Sequence, residues 1–419
     1  MEIAIIRSIS IVITFLFLGW LALKKKQEVK RNWAIFNSFI YVGTTLPLVN
    51  YLLVEQGFWN FVDENEIKMP YDLYFIWTVL WGIIPPLFLK KNDFKFISLV
   101  ILWMDLLLMP ELEKYGILKL QKHWIFGEII MMVLVFFPAY FWSYIYYHQK
   151  WNGIRAVFQV LIVTFKIFII LPFLLYMYQL LPYPSYHWSS IQFQILFIIA
   201  FPAFMAVQDL VTKGHGTPFP YDPTKQLVRN GVYAYCRNPI QWSMTLIFLP
   251  LAYYHQSPIF LIGCIVSIAY VVGVSEFQEY DDMEQRFGSA WSNYIKEVPK
   301  WYFLWVPSSI PRGVIYFDRN CHQCSQVELW FQNKNCINLE IKSASTYPGQ
   351  PLTKVTYVDS NGNVENGVNA IGQALEHIHL GYASLGWFMR FFPVSYLLQA
   401  IIDTMVFDRD EECEIKKKD

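Results

Sequence analysis

The stretch "GHGTPFPYDPTKQLVRNGVYAYCRNPIQW", residues 214–242, lies between two segments apolar enough to enter a membrane. It is itself polar and rich in proline and glycine, which stop a helix and hold the backbone in irregular conformations. Irregular backbone at a membrane must be hydrated or buried in protein, because its polar groups find no partners in lipid. The stretch therefore predicts a structured loop at a membrane face, between two apolar helices.

The composition is typical of a polytopic membrane protein. The 419 residues are 55% hydrophobic and 16% charged, and the mean hydropathy is positive. The net charge is zero and gives no reason to expect a nucleic-acid partner. A bilayer-spanning helix needs about 20 apolar residues, and several stretches approach or reach that length. We predict nine spans, at residues 4–23, 34–54, 72–89, 94–109, 125–147, 156–180, 190–208, 239–255 and 258–276.

Basic residues predict the orientation of these spans. Lysine and arginine are concentrated in the connections at 24–31, 90–95 and 149–155. Basic connections favour the cytoplasmic side of a membrane. With an outward N-terminus, the loop at 209–238 and everything after residue 277 then lie in the cytoplasm. We expect an integral protein of a bacterial inner membrane, with its active site and C-terminal domain cytoplasmic.

Arg237, Asn238 and Pro239 mark the start of the helix that follows the loop. Proline suits the first turn of a helix, and a helix N-terminus attracts anions such as a carboxylate. After the next spans, Glu276 and Glu279 lie three residues apart on one face of an acidic helix end. Each feature alone has a structural interpretation, as a snorkelling anchor or a solvated helix face. Their occurrence on one predicted membrane face favours a functional site.

The segment "GTPFPYDPTKQLVRNGVYAYCRNPIQ", with Glu279 and "VPKW" at 298–301 after it, resembles the C-terminal signature of the isoprenylcysteine carboxyl methyltransferase and phospholipid methyltransferase superfamily. The resemblance implies a multi-span enzyme that binds S-adenosylmethionine from the cytosol and takes a lipophilic acceptor from the bilayer. It implies that Arg237 and Glu279 are catalytic. It also implies cofactor contacts at Gly231, Tyr233, Arg237, Asn238, Pro239 and Glu279.

The segment departs from the superfamily pattern at two positions. Asn238 stands where many members have histidine, which excludes a histidine base there, and Glu279 is followed by Tyr280 rather than by a second glutamate. Methyl transfer is an in-line displacement that needs alignment rather than a metal. Arg237 suits a carboxylate, either of the cofactor or of the acceptor, and both roles are open. An anionic thiolate or carboxylate acceptor needs no dedicated base.

The composition changes near residue 305, and the chain beyond it reads as a small α/β domain. The pattern predicts a strand, a Cys-x-x-Cys and a helix, then a strand, an Asn-Gly hairpin, a strand and a helix. In a cytosolic βα context, Cys321 and Cys324 favour a redox dithiol. A helix N-terminus with Arg319 and His322 beside it favours the Cys321 thiolate, with Cys324 as the resolving thiol.

Zinc binding is the alternative interpretation of this cysteine pair. No second Cys-x-x-Cys follows at a suitable spacing. His377 and His379 are one residue apart on a predicted helix and so point in different directions. We therefore predict a dithiol and no metal.

Residues 312–419 also resemble the DCC family of thioredoxin-like thiol-disulfide oxidoreductases. The resemblance lies in "VIYFDRNCHQCSQ", "YVDSNGNVENGVNAIGQAL" and "LGWFMRFFPVSYLLQAIIDTMVFDRDE", with Arg319 in place of the glycine that usually follows the family's aspartate. It implies a thioredoxin-like fold. The apolar stretch at 387–407 is broken by Arg390, Pro393 and Asp403, so we expect amphipathic helices there rather than a tenth span.

The sequence thus predicts a mainly α-helical polytopic membrane protein with a C-terminal α/β domain. Its parts are N-terminal helices for acceptor access (1–208), a methyltransferase core (209–305) and a thioredoxin-like domain (312–419). The favoured function is S-adenosylmethionine-dependent methylation of a lipophilic, thiol or carboxylate acceptor, with a dithiol domain that handles a thiol or disulfide. Two alternatives stay open: a membrane NADPH-dependent reductase of the steroid-reductase type, and a membrane-anchored thiol-disulfide oxidoreductase.

Overall fold

The computed structural model describes residues 2–23, 28–89, 94–181, 189–219, 222–318, 322–350 and 352–415. Its contacts divide the chain into two compact units, Met1–Ser185 and Tyr186–Asp419. The division falls before the long helix that precedes the loop at 214–242, whereas the sequence placed a boundary after residue 208. The methyltransferase-like segment and the C-terminal α/β region therefore share one unit.

The first unit is helical and packs around its second helix. That helix buries Val42, Leu46, Val49 and Leu53, which recur every three or four residues and so share one face. A short antiparallel pair, β1 (Trp59–Phe61) with β2 (Leu118–Leu120), covers one edge of this core. The helices are α1 (Glu2–Leu23), α2 (Val29–Glu55), α3 (Tyr71–Gly82), α4 (Ile84–Leu87), α5 (Phe94–Lys114), α6 (Trp124–Met131), α7 (Phe137–Tyr147), α8 (Asn152–Phe165) and α9 (Leu171–Met177).

Two polar contacts join helices of this unit. Arg7 of α1 donates a forked pair of hydrogen bonds to Asp72 of α3, at 2.7 and 2.6 Å. The planar guanidinium matches both carboxylate oxygens, which makes such a pair stronger than a single bond. Deeper in the unit, the Trp77 indole donates to the buried carboxyl of Asp105 at 2.7 Å and links α3 to α5.

The second unit begins with a capped helix. Ser189 accepts a hydrogen bond from the Gln192 backbone, and the Gln192 side chain accepts one from the Ser189 backbone. This reciprocal pair satisfies donors at the helix start. The helices are α10 (Ser190–Thr212), α11 (Pro239–Leu246), α12 (Phe248–Tyr254), α13 (Ile259–Tyr270), α14 (Glu276–Phe287), α15 (Ser289–Glu297), α16 (His322–Gln332), α17 (Val368–Leu375), α18 (Leu380–Arg390) and α19 (Val394–Ile415).

Helix occupies each predicted span, but the helices differ in length. The span predicted at 72–89 is divided into α3 and α4, and Pro85 lies in the first turn of α4. The span predicted at 239–255 is divided into α11, which ends at Leu246, and α12, because Pro250 has no N–H to donate to the Leu246 carbonyl. Among the described residues, three helical segments are long and apolar enough to cross a membrane: Trp124–Tyr147, Asn152–Met177 and Ser190–Thr212. Ile5–Leu21 and Ile259–Gly273 are apolar but shorter. The chain is a membrane protein by this measure, and the count of nine spans stays a prediction.

A four-stranded sheet forms the core of the C-terminal region. The strands are β3 (Gly313–Phe317), β4 (Leu339–Ser343), β5 (Thr356–Val358) and β6 (Val364–Asn366), in the order β4-β3-β5-β6. β3 and β4 are parallel and are joined by α16, whereas β5 is antiparallel to both β3 and β6. The local elements predicted from the sequence, including the β5–β6 hairpin, are confirmed.

Helices α18 and α19 follow the sheet and form a bent pair. The two axes meet at 83°, and together the helices are apolar enough to span a membrane. Ala383, Gly386 and Trp387 of α18 are buried, whereas Phe392 and Tyr396 are exposed. The bend at Pro393 excludes one straight span. The amphipathic helices expected for this stretch stay a prediction.

A buried histidine closes the turn between α17 and α18. His377 and His379 lie in this turn because α17 ends at Leu375, so their predicted placement on a helix is wrong. The Ile337 carbonyl only accepts, so His377 Nδ1, 2.6 Å away, carries the proton, and Nε2 accepts from the Tyr357 hydroxyl at 2.9 Å. Burial lowers the pKa of His377 to about 4.

We expect His377 to make the protein less stable in mild acid. The unfolded chain binds this proton near pH 6.5, whereas folded His377 binds it only near pH 4, so stability falls as the pH drops through this interval. The full loss is about 3 kcal/mol, reached below pH 4. The thermal unfolding midpoint in detergent should fall as the pH is lowered from about 6.5 to about 4 in the wild type, and it should fall less in His377→Asn. His215→Asn, at an exposed histidine, is the control, and equal slopes for wild type and His377→Asn would contradict the expectation.

Candidate active site

Residues 213–219 and 222–230 fold back onto the end of α10. The Gly216 N–H donates to the Leu210 carbonyl at 3.1 Å, and the Lys225 N–H donates to the Gly214 carbonyl at 2.6 Å. Arg286 of α14 donates to the Thr224 carbonyl from the other side. The irregular backbone predicted here is thus satisfied within the protein, as buried polar backbone must be.

Gly231 opens the segment "GVYAYCRNP", residues 231–239, which we name the signature loop. The backbone φ of Gly231 is +65°, a conformation that disfavours residues with a Cβ. A Cβ at this position would also overlap the carboxylate of Asp209. Glycine is therefore required both by backbone conformation and by the closeness of α10, and the chain continues as a 3₁₀ turn at Gly231–Ala234.

The carbonyls of the signature loop are held by the chain that follows α14. The Tyr294 hydroxyl donates to the Tyr233 carbonyl at 2.9 Å, and the Leu304 N–H donates to the Tyr235 carbonyl at 3.0 Å. The Ser308 N–H donates to the Ala234 carbonyl at 3.0 Å. Three successive carbonyls are thus fixed, which gives the loop one conformation.

Arg237 lies half-buried against α15. Its Nη1 donates to the Ile295 carbonyl at 3.3 Å, and its guanidinium lies 5.9 Å from the centroid of the Trp291 ring. Its backbone N–H donates to the Pro299 carbonyl at 2.8 Å. In the part of the chain that the structure describes, no carboxylate forms an ion pair with Arg237. The guanidinium therefore keeps donors that suit an anionic ligand.

Asn238 and Pro239 form the start of α11, as predicted. Asn238 is the N-cap residue, with φ −121° and ψ 57°, but its side chain makes no capping hydrogen bond. Pro239 occupies the first turn, where a missing N–H costs nothing. The first backbone N–H groups of α11 thus have no side-chain cap and lie next to Arg237 in the chain.

Glu279 lies in α14, and its side chain is outside the described part of the structure. The C-terminal half of α14 packs against α15, where Met283 and Phe287 join the cluster of Trp291 and Tyr294. Helix α15 therefore contacts both α14 and the signature loop. The participation of Glu279 beside Arg237 stays a prediction.

A buried ion network lies behind Gly231. Asp209 of α10 accepts a hydrogen bond from Arg390 at 2.6 Å and lies 3.1 Å from Lys213 Nζ. Arg390, at the end of α18, also pairs with Glu376. All four side chains are at least nine-tenths buried, and two acids balance two bases. Removing one partner from such a network costs about 3–5 kcal/mol, because it leaves a buried charge without compensation.

The sequence shows each member of this network but not their association. Asp209 and Lys213 read as the polar end of an apolar helix, and Arg390 reads as an interruption of an apolar stretch. The signal that was available is general: ionisable residues in apolar segments pair with one another. The partner of each lies too far along the chain for the sequence to identify it.

The Cys-x-x-Cys lies at the start of α16. The helix begins at His322, directly after Cys321 in the chain, and the half-buried Cys324 lies in its first turn. Cys321 and Arg319 are outside the described residues, so the geometry of the dithiol stays a prediction. Burial raises the pKa of the Cys236 and Cys336 thiols to about 11, which disfavours reactive thiolates at those two positions.

Comparison with known proteins identifies one matching region. Residues 195–290 match the model of the phospholipid methyltransferase family. The match begins within α10 and ends within α15, so it contains the signature loop and α14 but not the C-terminal sheet. No curated protein and no solved structure matches the chain.

We expect Gly231→Ala to destabilise the protein by at least about 2 kcal/mol, because it combines positive φ with a steric overlap at Asp209. The measurement is the unfolding midpoint in detergent. Gly153→Ala is the matched control, since the new methyl group would meet open space, and it should not lower the midpoint, because alanine is favoured over glycine in a helix. A Gly231→Ala protein as stable as the wild type would disprove the packing described here.

Proposed function

We propose that this protein is an integral-membrane S-adenosylmethionine-dependent methyltransferase. The observation that carries the proposal is the signature loop, which lies inside the segment matching the phospholipid methyltransferase family and brings Arg237 to the uncapped start of α11. A guanidinium beside backbone N–H donors suits a carboxylate, and the cofactor carries one on its methionine part. The described part of the site thus offers donors for that carboxylate, which supports the proposal.

The residues of the site are proposed to bind and align the reactants. Arg237 binds a carboxylate, and Glu279 binds the ribose or amino group of the cofactor. Gly231, Tyr233, Asn238 and Pro239 shape the site with a backbone fixed by α15 and the chain after it. The cofactor supplies a methyl group bound to a sulfonium sulfur. An acceptor lone pair attacks the methyl carbon in line with the carbon–sulfur bond, and the sulfur leaves with the bonding electrons.

The proposed acceptor is lipophilic and enters from the bilayer. Helix α10, which leads into the site, exposes Ile191, Phe193 and Ile198. Exposed apolar side chains on a helix long enough to cross a membrane are suited to lipid contact. The acceptor group is proposed to be a thiol or a carboxylate. The site is proposed to lie on the cytoplasmic face of a bacterial inner membrane.

We propose a second activity for the C-terminal region, that of a thioredoxin-like dithiol module. A parallel β3-α16-β4 unit, with the antiparallel strands β5 and β6 on the other side of β3 and α17 after them, supports the proposal, because thioredoxin-like folds contain these elements in this strand order. The helix that such folds place between β4 and β5 is replaced here by a 3₁₀ turn at Ala344–Thr346. The Cys-x-x-Cys at the start of α16 is where a helix N-terminus favours thiolate. In the reaction, Cys321 and Cys324 lose two electrons and two protons to a substrate disulfide and become joined to each other.

Arg237→Gln should weaken binding of S-adenosylhomocysteine at least about tenfold, because it removes charge-assisted hydrogen bonds. Isothermal titration of the purified full-length protein measures this effect. Arg229→Gln, which removes a charge from the chain just before the signature loop, is the control and should bind normally. Wild-type affinity in Arg237→Gln would contradict the site. Binding of NADPH instead would favour the reductase alternative, and binding of neither would favour an idle membrane anchor.

After incubation with oxidised glutathione, the wild-type protein should contain a Cys321–Cys324 disulfide and release two molecules of glutathione, and mass spectrometry of its peptides detects this disulfide. Cys324→Ser should instead keep one glutathione bound to Cys321 as a mixed disulfide, because the resolving thiol that would release it is missing. Cys336→Ser, at a thiol whose raised pKa makes it unreactive, should behave as the wild type. Free thiols at both positions after oxidation would refute the dithiol proposal.

A further inference from the structure

We propose that the C-terminal region positions the signature loop of the methyltransferase, with Arg390 as the positioning residue. This inference rests on the proposed function, because it assigns a role to residues outside the segment that matches the methyltransferase family. Arg390 acts through Asp209, which lies against Gly231 at the start of the signature loop. The site is thus incomplete without residues from the far end of the chain.

The first step is the contact between Asp209 and Gly231. Asp209 is fully buried, and a Cβ on Gly231 would overlap its Oδ2 atom, so the carboxylate touches the loop backbone. Any change in the position of Asp209 therefore changes the space available to Gly231. Since Gly231 begins the 3₁₀ turn that leads to Arg237, the loop inherits that change.

The second step is that Arg390 holds Asp209. Arg390 binds Asp209 with Nη2 at 2.6 Å and Glu376 with Nη1, so its planar fork spans α10 and the residue that follows α17. Lysine could reproduce the charge but not the fork. The Gln208 side chain also joins α10 to the end of α18, because it donates to the Arg390 carbonyl at 2.8 Å and accepts from the Phe392 N–H at 3.2 Å.

The third step is that the loop itself packs on the same helices. The Tyr235 hydroxyl donates to the Glu376 carbonyl at 2.8 Å, and its ring lies edge-on to Trp387 at 5.6 Å. Val232, Ala234 and Tyr235 share one buried cluster with Ala383 and Trp387 of α18. Polar and apolar contacts therefore tie the same two segments together.

Helices α17 and α18 pack closely against each other at two glycines, Gly372 and Gly386. A Cβ on Gly372 would lie 2.9 Å from the Gly386 carbonyl oxygen, and a Cβ on Gly386 would overlap the Gly372 carbonyl. The two glycines let the helix backbones touch, which brings Arg390 to Glu376. The helices that hold Asp209 are therefore closely packed, as a positioning element must be.

Linkage requires that this coupling act in both directions. If the C-terminal helices favour the cofactor-binding form of the loop, then cofactor binding must stabilise those helices by the same amount. Hydrogen exchange reports this without any mutation, because it detects local opening of each segment. The relevant peptides cover residues 231–239 and 368–390.

We expect S-adenosylhomocysteine to slow amide exchange in both peptides of the full-length wild-type protein. Slower exchange at 231–239 with no change at 368–390 would overturn the positioning role and leave the proposed function standing. No binding at all would overturn both. The peptide at 359–363, which joins β5 to β6 and lies outside the packed cluster, is the internal control. Its exchange rate should be the same with and without S-adenosylhomocysteine.

Variants of the network give the second arm of the test. Arg390→Gln should raise the Kd for S-adenosylhomocysteine at least about tenfold, and Arg390→Lys should recover part of that loss because it restores the charge. Arg312→Gln removes an exposed arginine of the same region, which pairs with Glu340, and should bind normally. Because lysine restores the charge but not the planar fork, the extent of its rescue separates the contribution of the charge from that of the fork.

Arg390→Gln leaves a buried negative charge and can therefore fail to fold. The double variant Asp209→Asn with Arg390→Gln avoids this problem, since it removes one charge of each sign and keeps the network neutral. We expect the double variant to fold and to bind S-adenosylhomocysteine at least about tenfold more weakly than the wild type. A folded double variant with wild-type affinity would disprove the proposal.

Discussion

The buried contact between Asp209 and Arg390 is the constraint on which the second unit depends. The two residues are 181 positions apart in the chain, and each is almost fully removed from solvent. A carboxylate and a guanidinium in such surroundings are tolerated only when they are paired. Helices α10, α17 and α18 must therefore keep the positions that close the network. Gly231 lies directly against it, so the signature loop is fixed from behind by this contact and from the other side by α15.

The sequence predicts a methyltransferase-like segment followed by a small α/β domain. Two such segments suggest separate domains joined by a linker. Instead, the Tyr235 hydroxyl bonds to the Glu376 backbone, and Met205, Val232 and Trp387 share one core. The methyltransferase-like segment and the sheet-containing region are packed as one unit, Tyr186–Asp419. The α/β region therefore contacts the signature loop directly through this core.

Local structure was accessible from the sequence, whereas long-range contacts were not. The β5–β6 hairpin and the start of α11 follow from turn residues and from Pro239, whose effects act over a few positions. Placing His377 on a helix failed because the periodicity of α17 does not show where the helix stops. Pro250 is present in the sequence, but the span at 239–255 was predicted from its apolar length alone, so the break between α11 and α12 was missed. Arg390 and Asp209 became partners only when the fold joined them, since no local rule connects residues at that separation.

We propose above all that the signature loop binds S-adenosylmethionine. Photoaffinity labelling of the full-length protein with an azido analogue of the cofactor, followed by peptide mapping, tests this proposal. We expect label on peptides covering residues 231–239, and excess S-adenosylhomocysteine should remove it. Label confined to other peptides, or label at 231–239 that excess S-adenosylhomocysteine does not displace, would contradict it.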